Sequence, residues 1–150
     1  MDEIMHSAKP GDLIEIFHEI YEHWAVYIGG DEVVHLSPQT QVKRQKISEV
    51  VGLRKCRVNN LLDCKYRPRD RHIIVTEAKR LVGQELPYSV ITHNCEHFVT
   101  RLRYNKPESQ QVERAAAVIV GTFLIVVSMT VLENVLSAMF RGYNENRDYK

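Results

Sequence analysis

Between Ala115 and Leu132 the chain carries no charged residue. The run AAAVIVGTFLIVVSMTVL is 18 residues long, close to the ~20 that a helix needs to cross the hydrocarbon core of a bilayer. A helix that is apolar all round must be buried, either in lipid or in a protein core. Only 114 residues precede it, which leaves little protein to bury it in. The run is therefore read as a single-pass membrane anchor, with a buried core helix as the competing reading. Arg114 and Arg141 flank it, and after Glu133 the apolar character resumes through Val135, Leu136, Ala138, Met139 and Phe140. Glu133 marks either the end of the hydrocarbon span or a segment that does not cross fully. Asn105-Lys106-Pro107-Glu108-Ser109 breaks any preceding helix. The expected organisation is a domain over 1–104, a linker over 105–114, an anchor helix over 115–140 and a polar tail over 141–150.

The net charge of +1, with 26% charged residues, gives no reason to expect nucleic acid as a partner. Three cysteines at irregular spacing (Cys56, Cys64 and Cys95) suit neither a disulfide framework nor a tetrahedral zinc site. A reducing, cytosolic setting fits them best. Residues Met1 to Ser7 have neither a basic stretch nor a long apolar run, so no secretory signal is read there.

Asn94-Cys95-Glu96-His97-Phe98-Val99 holds the strongest chemical signal. Asn94 is a good N-cap, because its side-chain oxygen can accept an unpaired backbone N–H of the first turn. Cys95, Phe98, Val99 and Leu102 recur at helical spacing on one face, giving a helix to about Tyr104. Cys95 then lies in the first turn, at the positive end of the helix dipole, where a thiolate is favoured over a thiol. It is a candidate nucleophile, against the plain reading of a small buried hydrophobe.

Pro10-Gly11-Asp12 launches a strand over 13–17. His23 to Ile28 and Val33 to Leu36 read as the two strands of a hairpin about Gly29-Gly30-Asp31-Glu32. With an even loop, His35 pairs with Val26 and faces away from His23. With an odd loop and a left-handed glycine, it pairs near Ala25, and His23, Ala25 and His35 share a face. The odd loop is expected if the two histidines work together. Farther on, residues 39–46 are polar and basic and run toward an edge strand, Ile47 to Gly52 reads as a short helix or turn, and Leu53 to Val58 as a strand. The stretch 61–71 is loop-like, with Lys65, Arg67, Arg69 and Arg71 either solvated or touching anionic headgroups. Ile73, Ile74, Ala78, Leu81 and Val82 have helical spacing, with Gly83 as a stop. Pro87 argues against a central strand in the connector that follows.

A cysteine nucleophile needs a base, and imidazole suits that role near neutral pH. The base needs a partner that fixes its tautomer. The proposed set is Cys95 as nucleophile, His23 as general base and acid, and His35 as the orienting third member. A neutral orienter leaves the thiolate–imidazolium pair to be stabilised chiefly by proximity and the helix dipole. A histidine on a strand is otherwise structural or exposed. Trp24 beside the base is either core packing or a wall of an acyl or headgroup pocket. His97 is read as structural, since two residues along the helix it points away from Cys95.

Pro10 to Glu15, His23 to Tyr27, Val33 to Leu36, Arg57 to Asn60, Leu81 to Glu85 and Asn94 to Val99 together resemble the phospholipase A and acyltransferase family, the H-Ras-like suppressors. These are relatives of lecithin:retinol acyltransferase within the NlpC/P60 group. The resemblance runs in order from about Pro10 to Tyr104, and the hydrophobic C-terminal segment fits it. It implies an α+β, circularly permuted papain-like fold, an antiparallel sheet packed on helices with a C-terminal membrane helix. It implies a Cys–His–His triad that lands on Cys95, His23 and His35. The implied activity is a calcium-independent phospholipase A1/A2 and acyltransferase working through a cysteine thioester, including N-acylation of phosphatidylethanolamine. No metal or cofactor is implied. The partners are phosphatidylcholine, phosphatidylethanolamine and the bilayer itself, at the cytoplasmic face of an intracellular membrane with a soluble pool beside it. Tyr21 is carried as an oxyanion or substrate contact. The segment between Pro38 and Ile47 looks shorter than the family's loop there. An amidase or peptidase on the same geometry, and a non-enzymatic membrane adaptor, are the alternatives.

Overall fold

The computed structural model describes residues 7–86 and 94–145, so the expectations for the N-terminal residues, Pro87 and the polar end of the tail fall outside the described residues. The chain forms two compact units, 1–110 and 111–150.

The first unit is α+β. Five antiparallel strands, β1 (Leu13–Phe17), β2 (Glu22–Gly29), β3 (Glu32–Leu36), β4 (Val42–Lys46) and β5 (Cys56–Val58), lie in the order β4-β3-β2-β1-β5. The basic segment after Pro38 is an edge strand, β4. Its outer edge is partly paired, because Val42 N–H donates to the Gln84 carbonyl and Gly83 N–H to the Val42 carbonyl, which limits the open edge. β5 is shorter than the sequence implies. It starts at Cys56, opposite Ile16 of β1, and leaves Leu53 and Arg54 in an exposed loop. Beyond Val58 the side chains of Asn59 and Asn60 extend the pairing. Asn59 Nδ2 donates to Glu15 Oε2 at 2.9 Å, and Leu13 N–H donates to Asn60 Oδ1 at 3.0 Å.

Strand alternation splits the core in two. Leu13, Trp24, Val26, Ile28, Val34 and Leu36 face helices α2 (Arg71–Leu81) and α3 (Cys95–Tyr104), meeting Ile74, Ala78, Phe98, Val99 and Leu102. Ile14, Ile16, Ala25, Tyr27 and Val33 face the one-turn helix α1 (Ile47–Val51), meeting Ile47 and Val51. Each such aliphatic side chain taken out of water contributes ~1.5–3 kcal/mol before entropy is counted. Asp70 caps α2, accepting from His72 N–H at 2.8 Å.

A buried polar network ties α3 to the loop before α2. Arg103, nearly inaccessible at 2% exposure, makes paired bonds to Asp63 (2.9 and 2.8 Å) and donates to the Gly11 carbonyl at 2.8 Å. Tyr104 hydroxyl donates to Asp63 at 2.8 Å, and buried Asp12 accepts from Arg71 at 2.8 Å and from Asn60 at 3.1 Å.

The second unit is one helix, α4 (Gln110–Glu145), so helix begins inside the stretch expected as linker. Its 25 residues Gln110–Asn134 are long and apolar enough to cross a membrane by length and composition, with mean hydropathy 2.5 in the most apolar window. Val118 through Leu132 present large apolar side chains that are at least two-fifths exposed.

Candidate active site

The hairpin brings the two histidines together. Val26 pairs with Val34 and Tyr27 with Val33, and a bulge follows between Tyr27 and Gly29. Gly29 (φ 87°) and Gly30 (φ 61°) take left-handed conformations that glycine adopts without strain. Continuing the register sets His35 across from Ala25, on the face that also carries His23. The rings meet edge to face, with His23 Nε2 2.9 Å from His35 Nδ1. His35 Nε2 lies 2.8 Å from Gln45 Oε1 on β4. Gln45 carried no signal in the sequence, because its position opposite Val33 depends on the β3–β4 register.

Cys95 opens α3 as its capping predicts. Asn94 accepts from His97 N–H at 3.0 Å, and the His97 side chain turns back to Asn94, completing a capping box. His97 is thus a structural member of the helix start. The Cys95 sulfur meets the main chain of β2 on both sides of His23. It is 3.8 Å from the Glu22 carbonyl oxygen, and the Trp24 N–H is turned toward it. Cys95 therefore comes to β2 from the α3 side, at the strand position that carries His23.

Burial sets the charge state. Cys95 is 4% exposed, and desolvation pushes its thiol up to about 11 despite the N–H groups of Trp24, Glu96 and Cys95 itself. The buried Glu96 carboxylate adds to the rise. Desolvation, with the charges of His35, His18 and Arg54 behind it, pulls His23 down to about 3. Burial also lowers His35, partly opposed by its bond to Gln45. Both shifts favour the neutral thiol and the neutral imidazole. Burial thus works against the thiolate expected from helix position, because desolvation of the anion opposes what the first turn returns.

An unfolded imidazole titrates near 6.5, and folded His23 stays neutral down to about pH 3. The unfolded chain therefore binds the proton first as pH falls. His23 contributes stability that is complete above about pH 6.5 and is lost between there and about pH 3, and His35 acts with the same sign. Melting of the detergent-solubilised chain is expected to fall steadily on acidification from pH 7 to pH 4. His23→Gln is expected to flatten that slope.

Trp24 is 3% exposed within the α2/α3 core, and its Nε1 has no partner among the described residues. Tyr21 lies in the β1–β2 turn, 43% exposed, stacked on His18 at 4.4 Å. The His18 ring in turn stands edge-on to His23 at 6.3 Å. Sequence reading passed over Glu96. Its carboxylate, 1% exposed, accepts from the Ser109 hydroxyl at 2.5 Å and from Gln110 N–H at 2.8 Å. It thereby fixes the chain leaving α3 to the turn that holds Cys95.

The family model described as lecithin retinol acyltransferase matches residues 6–108, the span that holds Cys95, His23, His35 and Gln45. The human protein named "Phospholipase A and acyltransferase 4" is 47% identical over 127 aligned residues, covering 73% of this chain and 77% of its own. Human "Phospholipase A and acyltransferase 3" is 40% identical over 143, covering 82% and 88%. Human "Phospholipase A and acyltransferase 2" is 42% identical over 137, covering 77% and 85%. The α+β sheet, the helix-capped cysteine and the paired histidines accord with the papain-like fold of that group, and the chain belongs to the lecithin retinol acyltransferase family.

Proposed function

We propose that this protein is a phospholipase A and acyltransferase acting on glycerophospholipids, with Cys95, His23 and His35 as its catalytic set. The observation that carries the reading is the meeting of Cys95 Sγ with the β2 main chain on either side of His23, whose ring is held by His35 at 2.9 Å. The names of the relatives support the reaction class.

The chemistry starts from the neutral thiol and neutral imidazole. As Cys95 sulfur attacks the ester carbonyl, its proton passes to His23, so the thiolate exists only in the attacking state. The oxyanion is met by the Cys95 and Glu96 N–H groups at the head of α3, with the Tyr21 hydroxyl at the rim. His23 returns the proton to the oxygen of the departing lysophospholipid, leaving the acyl group as a thioester on Cys95. Water then releases it as fatty acid, or the amine of phosphatidylethanolamine takes it as an amide, with His23 accepting the attacking group's proton.

In this reading residues 1–104 form the catalytic domain, 115–140 anchor it in an intracellular membrane from the cytoplasmic side, and the polar tail follows. The exposed Ile20 and Leu53 support work at a lipid surface. Incubation with phosphatidylcholine–phosphatidylethanolamine vesicles in the presence of a calcium chelator should yield free fatty acid and N-acyl-phosphatidylethanolamine. Deleting residues 115–150 should lower the vesicle rate about 10-fold or more, by loss of local concentration. The rate on short-chain micellar phospholipid should be nearly unchanged. No product in either assay overturns the activity, and equal losses overturn the anchor.

A further inference from the structure

We infer that Gln45, on the edge strand β4, is a positioning residue that decides which nitrogen of His23 is free to take the Cys95 proton. The inference rests on the reading of Cys95 and His23 as nucleophile and base.

Three groups form a line of two short contacts. Gln45 Oε1 lies 2.8 Å from His35 Nε2, and His35 Nδ1 lies 2.9 Å from His23 Nε2. A carbonyl oxygen only accepts, so His35 Nε2 carries the proton. A neutral imidazole has one N–H, so His35 Nδ1 is then an acceptor. His23 must donate to it from Nε2. The lone pair of His23 is left on Nδ1, the nitrogen that the catalytic reading assigns to the Cys95 proton. Without the Gln45 carbonyl, His35 is free to hold its proton on Nδ1. Two N–H groups would then face each other, or His23 would flip its tautomer and present an N–H where a base is needed. A tautomer error of this kind costs a serine protease about 10⁴ in rate.

The surroundings leave this task to Gln45. The other charges on His23 and His35 are Arg54, in the loop before β5, and Lys43 on β4, both cations, with His18 in the β1–β2 turn. None of these supplies an acceptor to His35 Nε2. β4 offers Gln45 because its register sets Gln45 opposite Val33 and Lys43 opposite His35, so both side chains leave on the histidine face.

Two variants of the full chain in detergent–phospholipid micelles test this: Gln45→Leu removes the acceptor, and Gln45→Glu keeps one. Imidazole ¹H–¹⁵N spectra of the unmodified chain should show both His35 and His23 protonated on Nε2. Gln45→Leu should lower kcat about 10-fold or more with KM little changed, and should shift or broaden the His35 and His23 ring signals. Gln45→Glu should keep kcat within about threefold and move the acid limb of the kcat–pH profile upward, because a carboxylate favours His35 in its charged form. A His35 ring protonated on Nδ1 overturns the inference, as does Gln45→Leu with unaltered kcat and tautomers. So does a Gln45→Glu loss equal to that of Gln45→Leu. If the tautomers stand as assigned while Cys95→Ser retains activity, the catalytic reading fails and the tautomer assignment survives.

Discussion

Replacing Cys95 by alanine is expected to lower phospholipid hydrolysis and acyl transfer together by about 10⁴-fold or more, the scale seen when a nucleophile is removed from a triad. Both reactions draw on the same thioester, so their ratio should not change on the way down. Cys95→Ser should be nearly as inactive, because a hydroxyl is harder to deprotonate than the thiol it replaces and the site already disfavours the anion. Fold should survive, since Cys95 contributes a small side chain to a core set by Phe98, Val99 and Leu102. Steady-state rates on micellar phosphatidylcholine, with melting as the control, check this. Hydrolysis lost with transfer retained would mean that the two reactions do not share an intermediate.

The second large effect concerns stability. Arg103→Ala is expected to destabilise the folded unit by about 3 kcal/mol, in the range for breaking a buried hydrogen-bond network, with Asp63 itself two-fifths exposed and open to water once unpaired. It strips Asp63 of two bonds and leaves the buried Gly11 carbonyl without its guanidinium donor. Asp12 keeps Arg71 and Asn60, which bounds the loss. Arg103→Lys should recover only part of it, because an ammonium cannot make the paired contact to Asp63. A melting temperature lowered by roughly 10 °C is the expected reading. A change within 2–3 °C, typical of ~1 kcal/mol in a chain of this size, would mean that this network is dispensable.

Much of this was legible beforehand because it depends on local pattern. Short β-branched and aromatic runs bounded by turn signals marked β1 to β3, and Gly29-Gly30 allowed, as one of two alternatives, the bulged hairpin that sets His35 across from Ala25. Asn94 ahead of Cys95, Phe98, Val99 and Leu102 marked the start and inner face of α3. What escaped depends on partners far away in the chain. Gln45 matters only through the register of an edge strand. Glu96 drew no reading of its own, and it is buried because Ser109 and Gln110, in a stretch that read as a linker, fold back onto it. The direction of the thiol's shift depends on the same distant packing: helix position is written in the sequence, but the extent of the desolvation that opposes it is not. Leu53 read as part of a strand and lies exposed, because the β1–β5 pairing stops at Ile16 opposite Cys56.

A chemical bond between substrate and sulfur is the centre of this account, and intact-protein mass spectrometry addresses it directly. The full chain, mixed briefly with vesicles of a phosphatidylcholine bearing one kind of acyl chain and then acid-quenched, should gain the mass of that acyl group less one hydrogen. The adduct should map to the peptide holding Cys95, disappear with neutral hydroxylamine, and be absent from Cys95→Ala. Turnover of the phospholipid with no acyl mass on Cys95, under a quench that captures the first turnover, would contradict it.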